Sequence, residues 1–250
     1  MGVLQQITDR YTRFARLIPA ILVLLPLTVL AVTSVPVVVT IWGKVAALVV
    51  VAGLPFVVSQ VVRDRGLRVQ PHLFHAWGGR PSEIMLRWRA TSTKAAVARR
   101  HQLVQAHLGI TLPDEAAEAA DPAEADEAYA VATAALRERT RDKAMFPLVF
   151  EENITYGFRR NAYACRTAAI VICFLTAVGT VLLARFSVVP LGWKQQTALV
   201  TFDVLAAVGW FTWCTADAVR RAAEAYARQL FASLETLGNQ QQQSQPDATQ

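Results

Sequence analysis

The chain of 250 residues is 54% hydrophobic and has a mean hydropathy of +0.31, yet it carries a formal charge of +6. This combination excludes an ordinary soluble domain and points to apolar spans bordered by basic flanks.

Residues 1–16 form a flank containing Arg10, Arg13 and Arg16, and residues 17–42 then carry no charge at all. The run is longer than the apolar core of a signal peptide and lacks a small-residue cleavage site, so it reads as a retained span. After Lys44, residues 45–62 are again uncharged. Both runs meet the roughly 20-residue length that crosses a bilayer core, and residues 17–62 are expected to form a transmembrane hairpin turning near Trp42, Gly43 and Lys44. Pro19, Pro26, Pro36 and Pro55 predict bent helices, because each proline removes one backbone hydrogen bond.

Residues 63–166 show helical patterning without strand alternation. A tight turn at Gly78 and Gly79 precedes Pro81, which suits a first helical position and opens a short helix with Glu83 in its first turn. A second helix is expected from about Thr93 to His107, stopped by Gly109. Asp121 caps a third, Ala-rich helix with Pro122 and Glu124 in its first turn, continuing to about Lys143. After Pro147 nothing strongly breaks a helix, so residues 150–161 are expected to continue into the next span.

Charge divides this segment: residues 63–110 hold nine basic and two acidic side chains, and residues 111–167 hold seven basic and eleven acidic ones. The basic half adjoins the membrane, where attraction to anionic headgroups is the plain explanation.

A second hairpin is expected over residues 167–216, with spans near 167–183 and 198–216. Asp203 is the one acid inside a span; it either pairs with Arg185 or lines a hydrated pathway as a pore-lining residue. Helical phase carries the last span into an amphipathic cytoplasmic helix over residues 217–238, whose apolar stripe of Tyr226, Leu230, Leu234 and Leu237 needs covering by this chain or a partner. Residues 239–250 are Gln-rich, polar and expected to be disordered. Arginines cluster before span one, after span two, before span three and after span four, while Lys44, Arg185 and Lys194 are alone on the opposite side. Both termini and the central segment are therefore expected to be cytoplasmic. The fold class is all-α: four transmembrane helices with a helical cytoplasmic region between spans two and three.

Cys173 and Cys214 fall inside spans and Cys165 on the cytoplasmic side, so all three read as packing thiols. His72 and His75 lack further ligands at metal-binding spacing; no metal and no cofactor are expected. The candidate ligand-binding residues are Trp77, Arg80, Arg87 and Arg89 after span two, with Tyr156, Arg159 and Arg160 before span three. Guanidinium forks beside aromatic faces suit a phosphate-bearing ligand. Equally, these arginines suit internal pairing with acids such as Glu151 and Glu152 while Trp77 and Phe158 pack helices together.

The stretch Trp77-Gly78-Gly79-Arg80-Pro81-Ser82 followed by Leu86-Arg87, with Asn153-Ile154-Thr155-Tyr156-Gly157-Phe158-Arg159-Arg160-Asn161, resembles a largely uncharacterised family of bacterial four-span membrane proteins. In that family Thr is expected where Ser82 stands, and a Leu-Arg-His-Arg-like run where this chain has Leu86-Arg87-Trp88-Arg89. The layout is also similar to four-span effectors of nucleotide-signalling defence systems. The resemblance implies a multi-pass protein of the bacterial inner membrane and transfers no catalytic residue.

No Ser/His/Asp set, paired-carboxylate cleft or phosphate-cradling Gly loop is present, so the chain is not expected to be an enzyme. Two functions remain. One is a homo-oligomeric membrane effector that forms a pore and is regulated through its basic and aromatic cytoplasmic region by an anionic nucleotide-like ligand or a protein partner. The other is a membrane-anchored scaffold that recruits a cytoplasmic protein and conducts nothing.

Overall fold

The computed structural model describes the backbone of residues 9–34, 41–90 and 93–243, and their side chains apart from 34–52 and 238–243. Among these residues every regular element is helical. A wide turn at Thr12–Leu17 leads into α1 (Ile18–Ser34), followed by α2 (Ile41–Trp77), α3 (Pro81–Ile84), α4 (Lys94–Leu108), α5 (Glu115–Ala120), α6 (Pro122–Arg139), α7 (Pro147–Arg185), α8 (Trp193–Trp213) and α9 (Ala216–Gln243).

Local signals explain most boundaries. Thr93 precedes α4 and Gly109 ends it in the left-handed conformation at φ 69°. The Asp121 carboxylate accepts from the amides of Ala123 and Glu124 at 3.0 Å each, satisfying two orphan donors at the start of α6. That helix stops at Arg139, earlier than the expected Lys143, and the Thr140 hydroxyl bonds back to the Leu136 carbonyl at 2.9 Å. The short α5 is an element that sequence patterning does not announce; Asp114 caps it through a 2.8 Å bond from the Ala117 amide.

Two corrections concern the C-terminal quarter. The last apolar helix and the amphipathic helix are separate, meeting at 54° around Cys214 and Thr215, where helical phase predicts one rod. Thr215 starts the new helix by accepting from the Ala218 amide at 3.2 Å, and Asp217 occupies its first turn. Phase is blind to such a break because both helices keep their own apolar stripes. The second correction is that α9 runs to Gln243, into the stretch expected to be disordered. Gln is a competent helix former, so its polarity argues against packing and not against helix continuation. Residues 244–250 and the expected turn at Trp42, Gly43 and Lys44 lie outside the described residues or side chains.

The chain divides into two compact units. One, called the apolar unit, comprises residues 1–71 and 154–219; the other, the polar unit, comprises residues 72–153 and 220–250.

In the apolar unit α7 turns a face of small residues inward: Ala162, Cys165, Ala169 and Cys173 are buried with Ala20, Val23, Val62 and Trp210. Small residues let helix backbones approach closely, which is how helices associate where water supplies no driving force. The opposite faces are apolar and exposed, with Phe174 at 66%, Leu205 at 66% and Phe211 at 61%. All three cysteines are buried and free. The helical stretches Thr12–Thr33 and Pro147–Arg185 are each long and apolar enough to cross a membrane, and the bent pair of α8 with α9 makes a third candidate. Much of the expected second span falls on residues whose side chains are not described.

The polar unit has a conventional core. Leu86, Val104, Tyr129, Leu136, Phe146 and Val149 are buried with Leu230, Phe231 and Leu234 of α9. The apolar stripe of α9 is thus covered by this chain's own helices, and Leu230 and Leu234 are 0% exposed. Each such buried leucine stabilises the unit by about 1.5–3 kcal/mol.

Candidate functional site

The stretch around Trp77 is built by backbone geometry first. The Gly79 amide donates to the Phe74 carbonyl at 2.8 Å and the Gly78 amide to the His75 carbonyl at 3.2 Å, with Gly78 at φ 80°. This is the paired six-to-one and five-to-two closure that ends a helix, and a left-handed glycine makes it cheap. Gly79 is needed for a second reason: a Cβ there would stand 2.8 Å from the Arg87 guanidinium. The turn therefore seats Arg87.

Arg87 donates from Nε and Nη2 to the two oxygens of Asp126 at 2.8 and 3.0 Å, and from Nη1 to the Gly78 carbonyl at 2.5 Å. Arg89 donates from Nη2 to the same carboxylate at 2.7 Å and from Nη1 to Glu118 at 2.8 Å. Between them, the Trp88 indole donates to the Pro113 carbonyl at 3.0 Å. Arg80 pairs with Glu83 at 3.3 Å and lies over the Phe74 ring, 5.7 Å from its centroid. Trp77 packs on Phe74, with centroids 5.9 Å apart.

Glu118 is the centre of this network and is only 2% exposed. It accepts from the amides of Trp88 and Arg89 at 2.8 and 3.1 Å and from the Tyr129 hydroxyl at 2.6 Å, besides the Arg89 fork. Burial pushes its carboxyl up, but the hydrogen bonds from Tyr129, the two amides and Arg89 outweigh it and hold the group below the ordinary carboxylate range. Burial and the adjacent Glu118 push the Tyr129 phenol well above its usual value. His101 stands between Trp88 and Tyr129 and donates through Nε2 to the Leu86 carbonyl at 2.8 Å; burial lowers its pKa and keeps it neutral.

The other expected residues belong to the apolar unit. Arg160 is 7% exposed and donates to Gln70 at 2.7 Å and to the Asn161 Oδ1 at 3.2 and 3.1 Å, with its guanidinium 5.7 Å from the Tyr156 centroid. Asn161, fully buried, donates to the Ala15 carbonyl at 2.6 Å. That carbonyl lies in the wide turn, where Ile18 bonds back five residues to Arg13. A Cβ on Gly66 would overlap the Asn161 oxygen, and one on Gly157 would meet Tyr11 Oη at 2.7 Å and Ala15 at 3.0 Å. The Asn-Ile-Thr-Tyr-Gly-Phe-Arg-Arg-Asn motif therefore knots α7 to α2 and to the turn before α1.

Arg159 is different. Its guanidinium lies 4.0 Å from the centroid of Trp213, and no carboxylate pairs with it among the described residues. Phe158 meets the same indole edge-on at 6.1 Å. Asp203 is 4% exposed and lies beside Thr176, whose hydroxyl donates back to the Ile172 and Cys173 carbonyls at 2.9 and 3.0 Å, while Arg185 is exposed.

The seven residues expected to form one ligand site thus divide between the units. Trp77, Arg80, Arg87 and Arg89 are in the polar unit; Tyr156, Arg159 and Arg160 are in the apolar one. Within its own unit Arg87, Arg89 and Arg160 each already satisfy most of their donors on protein oxygens. Glu118, Asp126, Tyr129, His101 and Gln70 are the residues that sequence reasoning missed. The one signal for them was charge, since an acidic half directly follows a basic one. Among the described residues no cluster of three His, Cys, Asp or Glu side chains is placed to hold a metal. No protein family matches this chain, and no curated protein or solved structure is significantly similar to it.

Proposed function

We propose that the chain is an integral membrane protein that fixes a helical cytoplasmic module to the bilayer and acts as a scaffold for a cytoplasmic protein. In this reading four spans carry it, with both termini and the module on the cytoplasmic side, an orientation that the arginine distribution supports. The observation that carries the reading is the self-sufficiency of the polar unit. Its forks close on Asp126 and Glu118, and its tail stripe is buried in its own core, so neither an anionic ligand nor a second copy is needed to complete it. The exposed apolar faces of α7 and α8 support insertion in lipid.

The oligomeric effector is the second reading. One observation favours it: α2 and α7 each contribute residues to both units. The test is the mass of the detergent-solubilised protein together with ion leak from proteoliposomes. A monomer without leak is the expected result; a stable oligomer that releases trapped ions sinks the scaffold and installs the effector.

A further inference from the structure

The apolar unit contains an open groove of about 230 Å³ between α1, α7 and α8. Leu22, Leu25, Phe202, Ala206, Gly209 and Trp213 are among the residues that line it, and the lining carries no charged side chain. The volume falls below the roughly 300–1,000 Å³ of sites that enclose a whole small molecule, so the groove fits part of a ligand, such as one hydrocarbon chain.

Trp213 belongs both to the groove and to a cationic rim. Arg159 stacks on its indole at 4.0 Å and has no acid partner among the described residues. Arg166 lies 4.9 Å from the neighbouring Phe211 centroid and reaches the Cys214 carbonyl at 3.4 Å, which ends α8. A slot for hydrocarbon thus opens beside guanidinium groups with donors to spare. Basic pockets between helices at the cytoplasmic face of a bilayer bind anionic headgroups by this chemistry.

We infer that this groove holds one acyl chain of an anionic phospholipid, whose phosphate is gripped by Arg159 with Arg166 beside it. The charge at the rim argues for this occupant over a neutral lipid, and the open groove, uncharged along its length, argues against a free inorganic anion. The inference rests on the membrane reading proposed above.

Gly209 offers a probe, because it lines the groove and a Cβ there meets nothing within 4 Å, so a side chain can be started at this position without a clash. The experiment reconstitutes the full chain in vesicles of phosphatidylglycerol and phosphatidylcholine with identical chains. It extracts the protein gently and counts bound lipids by native mass spectrometry. The wild type should retain phosphatidylglycerol at least threefold over phosphatidylcholine. Gly209→Leu should lose the retained lipid of both kinds, and Arg159→Gln should keep a lipid but lose the headgroup preference. Equal retention of both lipids by the wild type, or unchanged retention by Gly209→Leu, overturns the site. Carbonate washing of the same vesicles separates the two levels: protein that stays in the bilayer without lipid preference refutes only the groove, whereas protein washed off refutes membrane insertion and the groove with it.

Discussion

The Tyr129 hydroxyl donates a 2.6 Å hydrogen bond to the carboxylate of Glu118, and both side chains are buried in the core of the polar unit. A buried carboxylate is tolerated only where donors surround it, and Glu118 accepts from a phenol, two amides and a guanidinium. Glu118→Ala should therefore cost about 3–5 kcal/mol, since it strands the Trp88 and Arg89 amides as well as removing the charge pair. Tyr129→Phe, which removes one donor, should cost about 1.5–3 kcal/mol. Hydrogen exchange at the Trp88 and Arg89 amides checks both; protection unchanged in Glu118→Ala refutes the assignment.

The same cluster fixes how the polar unit responds to pH. His101 is held neutral below its ordinary value of 6.5, so its contribution is complete above that pH and is lost as acid protonates the unfolded chain preferentially. Glu118 is held below 4.5, so its contribution is complete above that value and disappears as pH falls further. Tyr129 is raised above 10, so its contribution is complete below that pH and fades in stronger base. Thermal stability should be greatest between about 6.5 and 10, falling in two steps on acidification. Melting temperatures recorded across pH test this, and His101→Gln should remove the upper acid step alone.

Arg87 is a fork in a fitted socket: two donors reach Asp126 and the third reaches the Gly78 carbonyl. Lysine keeps the charge but has one ammonium where three directed bonds are required, so Arg87→Lys should destabilise the polar unit by about 1–3 kcal/mol. Gly79→Ala should do similar harm from the other side of the contact, by pushing a methyl into the guanidinium. Gly79→Ala also strains the backbone, at φ 140°, but the part of its cost that comes from the guanidinium contact is shared, so the double variant should cost less than the sum, and strictly additive losses would show that the methyl and the fork do not meet.

How much of this was legible depended on the range of the interaction. Gly109, Asp121 and Pro122 announced their helix ends because a cap acts within about four residues. For Arg87 and Arg89 ligand binding and internal pairing stood level, because their acids lie 29 to 39 residues onward and charge counting alone assigns no partner. In retrospect the basic half and the acidic half are two sides of one set of ion pairs, Lys94 with Glu115 included. Gly66 and Asn161 were opaque for a similar reason, since only the crossing of α2 with α7 shows that one must lack a side chain so that the other can fit. The break at Thr215 was locally signalled, by a capping hydroxyl with an acid two residues on, but the amphipathic phase spoke louder.

That helix crossing yields its own test. Gly66→Ala places a methyl where the Asn161 oxygen stands and should cost about 1–3 kcal/mol through overpacking. Asn161→Ala removes the donor to Ala15 and the acceptor of Arg160, with a comparable loss. Together they should cost less than the sum, since shortening Asn161 makes the space that the methyl added at Gly66 requires. Thermal unfolding in detergent measures the coupling; strict additivity would mean that the two positions do not meet.

Asp203 separates the two functional readings. It is buried on α8 beside Thr176 of α7, whose hydroxyl donates to carbonyls of its own helix, and Arg185 is exposed. Asparagine has nearly the same shape and spares the cost of a carboxylate in an apolar setting. Asp203→Asn should therefore be as stable as the wild type or more so, and Thr176→Val, which removes only a hydroxyl bonded within its own helix, should change stability little. If the acid serves packing in a scaffold, neither variant changes ion leak from proteoliposomes. A conductance that responds to Asp203→Asn while the fold stays intact requires water and ions at this carboxylate, and the scaffold reading then gives way to the effector.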